Sequence, residues 1–373
     1  MFGAWAAPWP LVRDELGLSY AEVGLLLSVP AVFGNIVEPP LGLLGDSWNR
    51  RAIVRAGGVA FFVALVLITV STGFATLLLA LMLASPASGA FVALSQTVLM
   101  DLDPARREQN MARWALAGSI GMVAGPIVLA VAGDAGLGWR AAFGAFAVLT
   151  LALLASAWHV PMSTPATSAA SEPDVLRALH RSAVDAVRML RRGAVVRWLT
   201  LLQLADLTLD VLHAFIALYF VDVVGASAGG AVFAVLVWTG VGLIGDALVI
   251  PLLARVDGIR YLRASALATV IVFSAFMMID GMAAKLVLLG ALGILGSGWY
   301  AVLQARLYDE LPDNSGTVMA LSSVFGIVGG LLPLVVGIAA HRFGIDVAMW
   351  LLLAGPVALL IGVRRTASVA DAQ

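Results

Sequence analysis

The stretch GLLGDSWNRR, residues 42–51, separates two long apolar segments, 20–44 and 52–72. An apolar segment of about 20 residues is long enough to cross a bilayer as a helix. The ten residues contain one acid and end in two arginines, so they form a short polar connection. This pattern predicts a tight hairpin of two membrane-spanning helices, with Arg50 and Arg51 at one membrane surface.

The composition of the whole chain agrees with a membrane protein. Of the 373 residues, 61% are hydrophobic and 12% are charged, and the mean hydropathy is +0.99. A soluble chain of this length needs far more charge on its surface. The net charge of −1 and the lack of a basic field argue against nucleic acid as a partner. There are no cysteines, and the four histidines form no ligand pair, so we expect neither a metal nor a cofactor.

Hydropathy predicts eleven full-length membrane helices, numbered here 2 to 12. Their ranges are 20–44, 52–72, 74–100, 110–133, 140–160, 195–221, 229–254, 262–281, 283–307, 316–340 and 346–363. The segment 1–12 is apolar but reaches only about 18 Å, against a hydrocarbon core of about 30 Å. We expect it to be the outer half of an incomplete helix 1; a half-inserted or interfacial segment is the alternative.

The basic residues predict the orientation. Eighteen arginines fall in one set of loops, against Arg13, Arg140, Lys285 and Arg342 in the other set. Because cytoplasmic loops carry the excess of positive charge, the first set is expected to be cytoplasmic, together with the C-terminus. A bacterial cytoplasmic (inner) membrane is the expected location.

A long polar interruption divides the chain into two halves. We predict an N-terminal six-helix bundle at 1–160, a cytoplasmic linker at 161–194, a C-terminal bundle at 195–364 and a cytoplasmic tail at 365–373. Within the linker, 174–192 has the pattern of an amphipathic helix on the membrane surface. Contact with anionic lipid headgroups is the expected role, and regulatory binding is the alternative.

The two halves repeat each other. Gln96-x-x-Leu99-x-Asp101 matches Gln304-x-x-Leu307-x-Asp309, and Gly17 precedes helix 2 as Gly225 precedes helix 8. The expected fold is therefore all-α, with two six-helix bundles related by pseudo-two-fold symmetry. Two six-helix halves joined by a cytoplasmic loop are typical of transporters. In that architecture the substrate site lies near the membrane midplane, between the halves.

The 42–51 stretch resembles the signature of the major facilitator superfamily, which has a Gly, an Asp and a basic pair in this loop. It departs from that signature at Asn49. The resemblance implies a cytoplasmic gate, although the arginines alone could serve only to set topology. The gate residues would be Gly42, Gly45, Asp46, Arg50, Arg51 and Asp101. The segment Arg255–Arg260 looks like a degenerate second copy.

Two further stretches resemble exporters of this superfamily. Gly121-x-x-x-Gly125-Pro126 in helix 5 is similar to the glycine–proline motif of drug exporters, and ordinary helix packing is the alternative reading. LSYAEVGLL, 18–26, is similar to fosmidomycin-resistance-like exporters. Ser85 stands where proton-coupled exporters often carry an arginine.

Ionisable residues inside membrane helices are costly and therefore indicate function. In helix 7, Gln203, Asp206, Asp210 and His213 fall within an arc of about 80° on a regular helix. Two carboxylates one turn apart repel each other, so at least one is expected to remain protonated and to be able to carry a proton. A buried polar network holding helices together is the alternative.

The remaining candidates come from helices 2 and 8. Helix 2 contributes Asn35 and Glu38, followed by Pro39-Pro40, which is expected to interrupt the helix and form a hinge. Helix 8 contributes Asp246 at the depth of Glu38. Trp238, Trp299 and Tyr300 are candidates for aromatic walls, with lipid or packing contacts as the alternative.

These residues predict an acidic cavity and a secondary transporter working by alternating access. We expect proton-coupled export (antiport, efflux) of a small cationic or amphipathic compound by a monomer. Nutrient uptake by the same fold, or a receptor or scaffold that transports nothing, remain the alternatives. No catalytic set is visible, so no enzyme is expected.

Overall fold

The computed structural model describes residues 7–47, 50–93, 95, 107–158, 191–310 and 324–370, and every regular element in these ranges is helical. The described residues of the N-terminal half form six helices. They are α1 (Trp9–Leu16), α2 (Tyr20–Ser47), α3 (Arg50–Thr69), α4 (Phe74–Ser88), α5 (Arg107–Asp134) and α6 (Gly138–Ala157).

The described part of the C-terminal half forms six more helices, several of them in parts. They are α7 (Gly193–Asp206, then a π-turn Leu207–Val211, then Leu212–Asp222), α8 (Ala228–Leu253), α9 (Gly258–Met278), α10 (Met282–Gly296 and Trp299–Asp309), α11 (324–329 and Leu332–Phe343) and α12 (Ile345–Met349, a 3₁₀ turn Trp350–Leu353, and Ala354–Ala370).

Ten helices among the described residues are long and apolar enough to cross a membrane. The predicted span 110–133 falls in α5, whose apolar part Ile120–Asp134 is shorter. Large apolar side chains, such as Leu79, Val148 and Ile250, are exposed on the outside of these helices. In a bilayer such side chains face lipid, and the helices satisfy their own backbone hydrogen bonds. This confirms the predicted all-α membrane fold.

We call the side where α6 ends and α7 begins the linker side, and the opposite side the distal side. The distal turns use local signals that are visible in the sequence. Gly17 and Gly225 have φ of +63° and +73°, a region that only glycine adopts at little cost. Ser19 and Glu22 then form a capping box: the Ser19 N–H donates to the Glu22 carboxylate (2.8 Å), and the Ser19 hydroxyl accepts from the Glu22 N–H (3.2 Å).

Five of the described helices are irregular along their length, including α12 with its 3₁₀ turn at Trp350–Leu353. A π-turn follows α4 at Gly89–Ala93, and a second interrupts α7. The two halves of α10 are separated by Ser297 and Gly298, and those of α11 by residues 330–331. The predicted interruption at Pro39-Pro40 was wrong, because α2 continues through both prolines to Ser47.

In the described ranges the two halves meet along three helix pairs, α2 with α11, α5 with α8 and α1 with α7. At the first pair the backbones come very close. A Cβ on Gly24 would lie 2.9 Å from the Pro333 carbonyl oxygen, and one on Gly337 would lie 2.9 Å from the Gly24 Cα. The Ser28 hydroxyl accepts from the Leu334 N–H at 2.9 Å. This crossing holds the halves together on the distal side.

Some predicted features lie outside the described residues. They are Asp101, Gln96 and most of the 161–194 linker, including nearly all of the predicted amphipathic helix. The boundaries predicted for the two bundles and the tail therefore stay predictions.

Candidate functional site

Asp206 and Asp210 lie at the π-turn in the middle of α7, Asp206 directly before it and Asp210 within it. Asp206 is half-buried and Asp210 is exposed. Among the membrane-spanning helices in the described ranges, however, α7 is the most enclosed. In its most apolar stretch, 67% of the residues are buried inside the protein. A carboxylate facing lipid would be very costly. We therefore place the Asp210 side chain in space between helices.

The π-turn changes the face that the sequence predicted for helix 7. A regular helix would place His213 beside Asp210, whereas the wider turn distributes the following residues differently. His213 is buried, and its Nε2 has no hydrogen-bond partner among the described residues. Thr208, inside the turn, donates to the Leu352 carbonyl of α12 at 3.2 Å. His213 is therefore buried in packed protein, apart from the half-buried Asp206 and the exposed Asp210.

Gln203 and Asn35 both pack on the broken segment of α11, from opposite halves of the protein. The Asn35 amide donates to the Gly326 carbonyl oxygen and to that of Ala31, each at 3.1 Å. A Cβ on Gly329 would lie 1.7 Å from the Gln203 Oε1, so the Gln203 side chain fills the notch at that glycine. Asn35 and Gln203 therefore connect α2 and α7 through the first segment of α11, next to its break.

Asp246 lies on a cavity between the halves, opposite the break in α10. Its exposed carboxylate lies close to Ser297 and Gly298. The Ser297 hydroxyl itself donates to the carbonyl oxygens of Gly242 and Gly293, at 3.1 and 3.0 Å. The cavity measures ≈ 250 Å³. Its walls come from α5, α7, α8 and α10: Met122, Val123, Leu209, Trp238, Thr239, Gly242, Leu243, Asp246, Gly293, Gly296, Ser297, Gly298 and Tyr300.

The three aromatic candidates lie in different surroundings. Trp238 and Tyr300 line this cavity. Trp299 is fully buried, and its indole N–H donates to the Ser265 hydroxyl at 2.8 Å. Trp299 therefore packs α10 against α9.

Glu38 lies in the N-terminal half, in a second cavity of ≈ 200 Å³ formed by α2, α3, α4 and Trp9. Its side chain lies against Gly89, where a Cβ would come within 2.7 Å of Glu38 Cγ. Glu38 thus contacts the π-turn that follows α4, as Asp246 contacts the break in α10. Each acid lies against an irregular point of the helix two places further along its own half.

The predicted gate and packing residues are only partly described. Gly42, Gly45, Asp46 and Arg50 lie on α2 and α3, but their side chains are outside the described set. Arg51 donates to the Trp158 carbonyl oxygen at the end of α6, at 3.2 Å. In the second copy, Asp257 caps α9 by accepting from two backbone N–H groups (3.0 and 3.1 Å), and it pairs with Arg306 at 3.4 Å.

The glycine–proline segment of α5 lies at the junction with α8. Gly125 and Pro126 are buried and Gly121 is half-buried. Met122 and Val123, between the glycines, line the cavity that holds Asp246. Pro126 lies within a continuous helix.

The distal side carries a charge pair that the sequence analysis did not predict, here called the distal clamp. Arg13 of α1 pairs with Asp222 at the end of α7, and the Tyr20 hydroxyl donates to the same carboxylate. The second contact of Arg13 with Asp222 measures 2.9 Å. The hydrogen bond to Asp222 raises the pKa of the Arg13 guanidinium above its ordinary value. Opposite charges at the distal ends of equivalent helices, 1 and 7, were the available signal.

Lys285 was also misread from the sequence, as a loop charge. It lies in the first turns of α10 and is only 3% exposed. Its ammonium donates to the Tyr219 hydroxyl at 2.8 Å and to the Phe276 carbonyl oxygen at 2.7 Å. It also lies 5.2 Å and 5.1 Å from the ring centroids of these two residues.

Comparison with known proteins identifies the family. The family model "Major Facilitator Superfamily" matches residues 1–333. The chain therefore belongs to the major facilitator superfamily, and it is a secondary transporter. Its family and fold are those of transporters rather than enzymes.

Particular relatives give further comparisons. A chloramphenicol resistance protein of Pseudomonas aeruginosa is 30% identical over 153 residues, which cover 40% of this chain and 36% of that protein. The match thus spans about a third of the relative's length.

Solved structures share the fold over nearly the whole chain. The nucleoside transporter NupG has a TM-score of 0.77 at 16% identity, covering 100% of this chain and 96% of NupG. A bacterial homolog of the human lysosomal transporter Spinster, in an inward-facing conformation, has a TM-score of 0.77 at 14% identity, covering 100% and 94%. A D-xylose–proton symporter has 0.74 at 17% identity, covering 97% and 93%.

Proposed function

We propose that this chain is a monomeric, proton-coupled exporter of a small cationic or amphipathic compound in a bacterial inner membrane. The linker side, with the C-terminus, faces the cytoplasm in this proposal. The observation that carries the coupling is the pair of carboxylates, Asp206 and Asp210, at the π-turn of α7.

The argument for proton coupling begins with the surroundings of these acids. Among the described residues neither has an ion-pair partner, although they lie in the most enclosed span. Two nearby carboxylates in such a place are hard to ionise together. A change in their protonation alters the charge at the junction of the halves, and this biases which conformation the protein adopts.

The argument for export rests on the relative from Pseudomonas aeruginosa, whose name refers to drug resistance. The cavity supports an amphipathic substrate, since it combines Asp246 with Trp238, Tyr300 and aliphatic walls. A cationic or neutral amphipath fits these walls better than an organic acid does, because the Asp246 carboxylate repels anions.

Uptake is the second candidate. The neighbours named as a nucleoside transporter and a D-xylose–proton symporter favour it. Direction and substrate are decided by the same assay.

The test uses inside-out membrane vesicles carrying an acid interior and a pH-sensitive dye. Chloramphenicol, ethidium, uridine and D-xylose are added in turn. For an exporter we expect chloramphenicol or ethidium to release protons from the vesicles, and uridine and xylose to have no effect. A response confined to uridine or xylose would reverse the substrate assignment.

Asp206→Asn is expected to abolish substrate-dependent proton release, because an amide cannot exchange a proton at this position. Asp134→Asn, an exposed carboxylate at the distal end of α5, is the matched control and should behave as wild type. Full activity of Asp206→Asn at every pH gradient would exclude this residue as the coupling site.

A further inference from the structure

The cavity between α5, α8 and α10 has one charged wall residue, Asp246. A carboxylate offers about four acceptor positions. Asp246 is exposed on the cavity wall, and the nearby Ser297 hydroxyl donates to the carbonyl oxygens of Gly242 and Gly293 (3.1 and 3.0 Å) rather than to this carboxylate. The Asp246 carboxylate therefore has acceptor capacity for a ligand in the cavity.

The charge of Asp246 is uncompensated in the described part of the chain. None of its described contacts is with a basic side chain, and no Lys, Arg or His is among the cavity walls. The N–H groups at the start of the second half of α10 offset only part of a negative charge. A carboxylate at this depth is stabilised by a cation, since an unpaired charge inside a membrane protein is costly.

The other walls suit an apolar body attached to that cation. Trp238 and Tyr300 provide aromatic surface, which attracts cations as well as apolar groups. Leu209, Leu243 and Met122 supply aliphatic surface. The volume of ≈ 250 Å³ lies just below the range of roughly 300–1,000 Å³ usual for drug-sized ligands.

The walls also come from both halves of the protein. Met122 and Val123 belong to α5, and the remaining wall residues belong to the C-terminal half. A ligand in the cavity therefore contacts both halves and affects their relative position.

We propose that this cavity binds a small organic ammonium ion with an aromatic body, held by a charge-assisted hydrogen bond to Asp246. The inference rests on the proposed function in that it names the substrate class of the transport site. It separates this role from proton carrying, which the proposed function assigns to α7.

The test is equilibrium binding to purified protein in detergent, without any proton gradient. The probes are 2-phenylethylammonium, the quaternary benzyltrimethylammonium and the neutral 2-phenylethanol. We expect both cations to bind the wild type more tightly than the alcohol does. If neither cation binds more tightly than 2-phenylethanol, the ammonium site does not exist.

Asp246→Asn keeps the shape of the side chain and removes the charge. We expect it to lose roughly tenfold to 100-fold of the affinity for 2-phenylethylammonium and to leave the affinity for 2-phenylethanol nearly unchanged. Asp246→Glu should retain part of the cation binding, and Asp134→Asn all of it. Unchanged cation affinity in Asp246→Asn would overturn the proposal.

A second variant covers the case in which Asp246→Asn does not fold. Leu243→Phe keeps the carboxylate and fills part of the cavity, so it should weaken all three probes together. Unaltered binding of the probes to this variant would place them elsewhere and overturn the proposal.

Binding and transport fail independently in this design. Cation binding that depends on Asp246, without proton release in vesicles, would reject the proposed function and keep the ammonium site. Proton-coupled export that is insensitive to Asp246→Asn, with unchanged affinity, would reject the ammonium site alone.

Discussion

At the scale of single residues, the burial of Lys285 determines the contacts that its charged side chain makes. The sequence contains one lysine, Lys285, and hydropathy placed it at a distal loop. In the structure its ammonium donates to Tyr219 and Phe276 and lies beside both rings. The long side chain reaches these acceptors from within the first turns of α10, so α7, α9 and α10 are joined at one point.

Lys285→Met should lower the thermal stability of the purified protein. The variant leaves the Phe276 carbonyl oxygen and the Tyr219 hydroxyl without their donor, which costs about 1–3 kcal/mol. Arg342→Met, which removes an exposed distal charge, should change stability by less than about 0.5 kcal/mol. Equal melting temperatures for the two variants would mean that the buried contacts contribute nothing.

The accessibility of Lys285 can be tested chemically. Because it is the sole lysine, an amine-reactive ester should label only the N-terminal amine of the folded protein. After unfolding, mass spectrometry should show a second label at Lys285. Rapid labelling of Lys285 in the folded protein would contradict its burial.

At the scale of helices, the sequence predicted most of the architecture. Long apolar segments, polar loops and Gly17 or Gly225 are local signals, and each corresponds to an element or turn in the structure. The irregular points were not predictable in the same way. At the π-turn of α7 and the break of α10 the chain makes contacts with other helices, such as Thr208 with Leu352 and Ser297 with the Gly242 carbonyl oxygen.

The candidate site likewise has features that local sequence signals predict and features that depend on contacts between helices. Apolar context was enough to single out Asp206, Asp210, Glu38 and Asp246, because an acid in a membrane helix stands out. The burial of His213 and the placement of Glu38 in a separate cavity were not visible in the sequence, since both depend on how neighbouring helices pack.

The crossing of α2 and α11 should be sensitive to one added methyl group. In Gly24→Ala the new Cβ meets backbone atoms of α11 at 2.9 and 3.1 Å, so the helices must move apart. We expect a loss of about 1–3 kcal/mol of stability, as for other overpacked sites. Gly144→Ala in α6, where the nearest neighbouring atom is 4.0 Å away, is the control and should be close to neutral. Thermal unfolding in detergent distinguishes the two; similar stabilities would show that the crossing can yield at no cost.

At the scale of the whole molecule, the polar contacts between the halves run from the distal surface to the middle of α2. They begin with Arg13 and Tyr20 on Asp222, continue with Ser28 and Leu334, and end with Asn35 and Gly326. Contacts that close one side of a two-bundle transporter must break when the cavity opens to that side. The Arg13–Asp222 clamp is the outermost of them, and its removal should favour opening at the distal side.

Asp222→Asn should therefore shift the population toward a distally open form. Arg13 and Asp222 are partly buried, with side chains 15% and 24% exposed, so the lost charge pair is worth about 1–2 kcal/mol, a factor of roughly 5–30 in population. The matched control is Asp14→Asn, because Asp14 also contacts Arg13, at 2.9 Å, but belongs to the same half. It should leave the balance between the two forms unchanged.

Pulsed electron–electron resonance can measure this shift, since the chain has no native cysteine to interfere with spin labelling. One pair of labels at positions 137 and 279 reports the distal side, and a second at 156 and 254 reports the linker side. In Asp222→Asn the distal distances should lengthen while the linker-side distances shorten, because the halves move as bodies about the shared crossing. A change on one side only would indicate local fraying of α1, and identical distributions in both variants would show that the clamp does not set the balance.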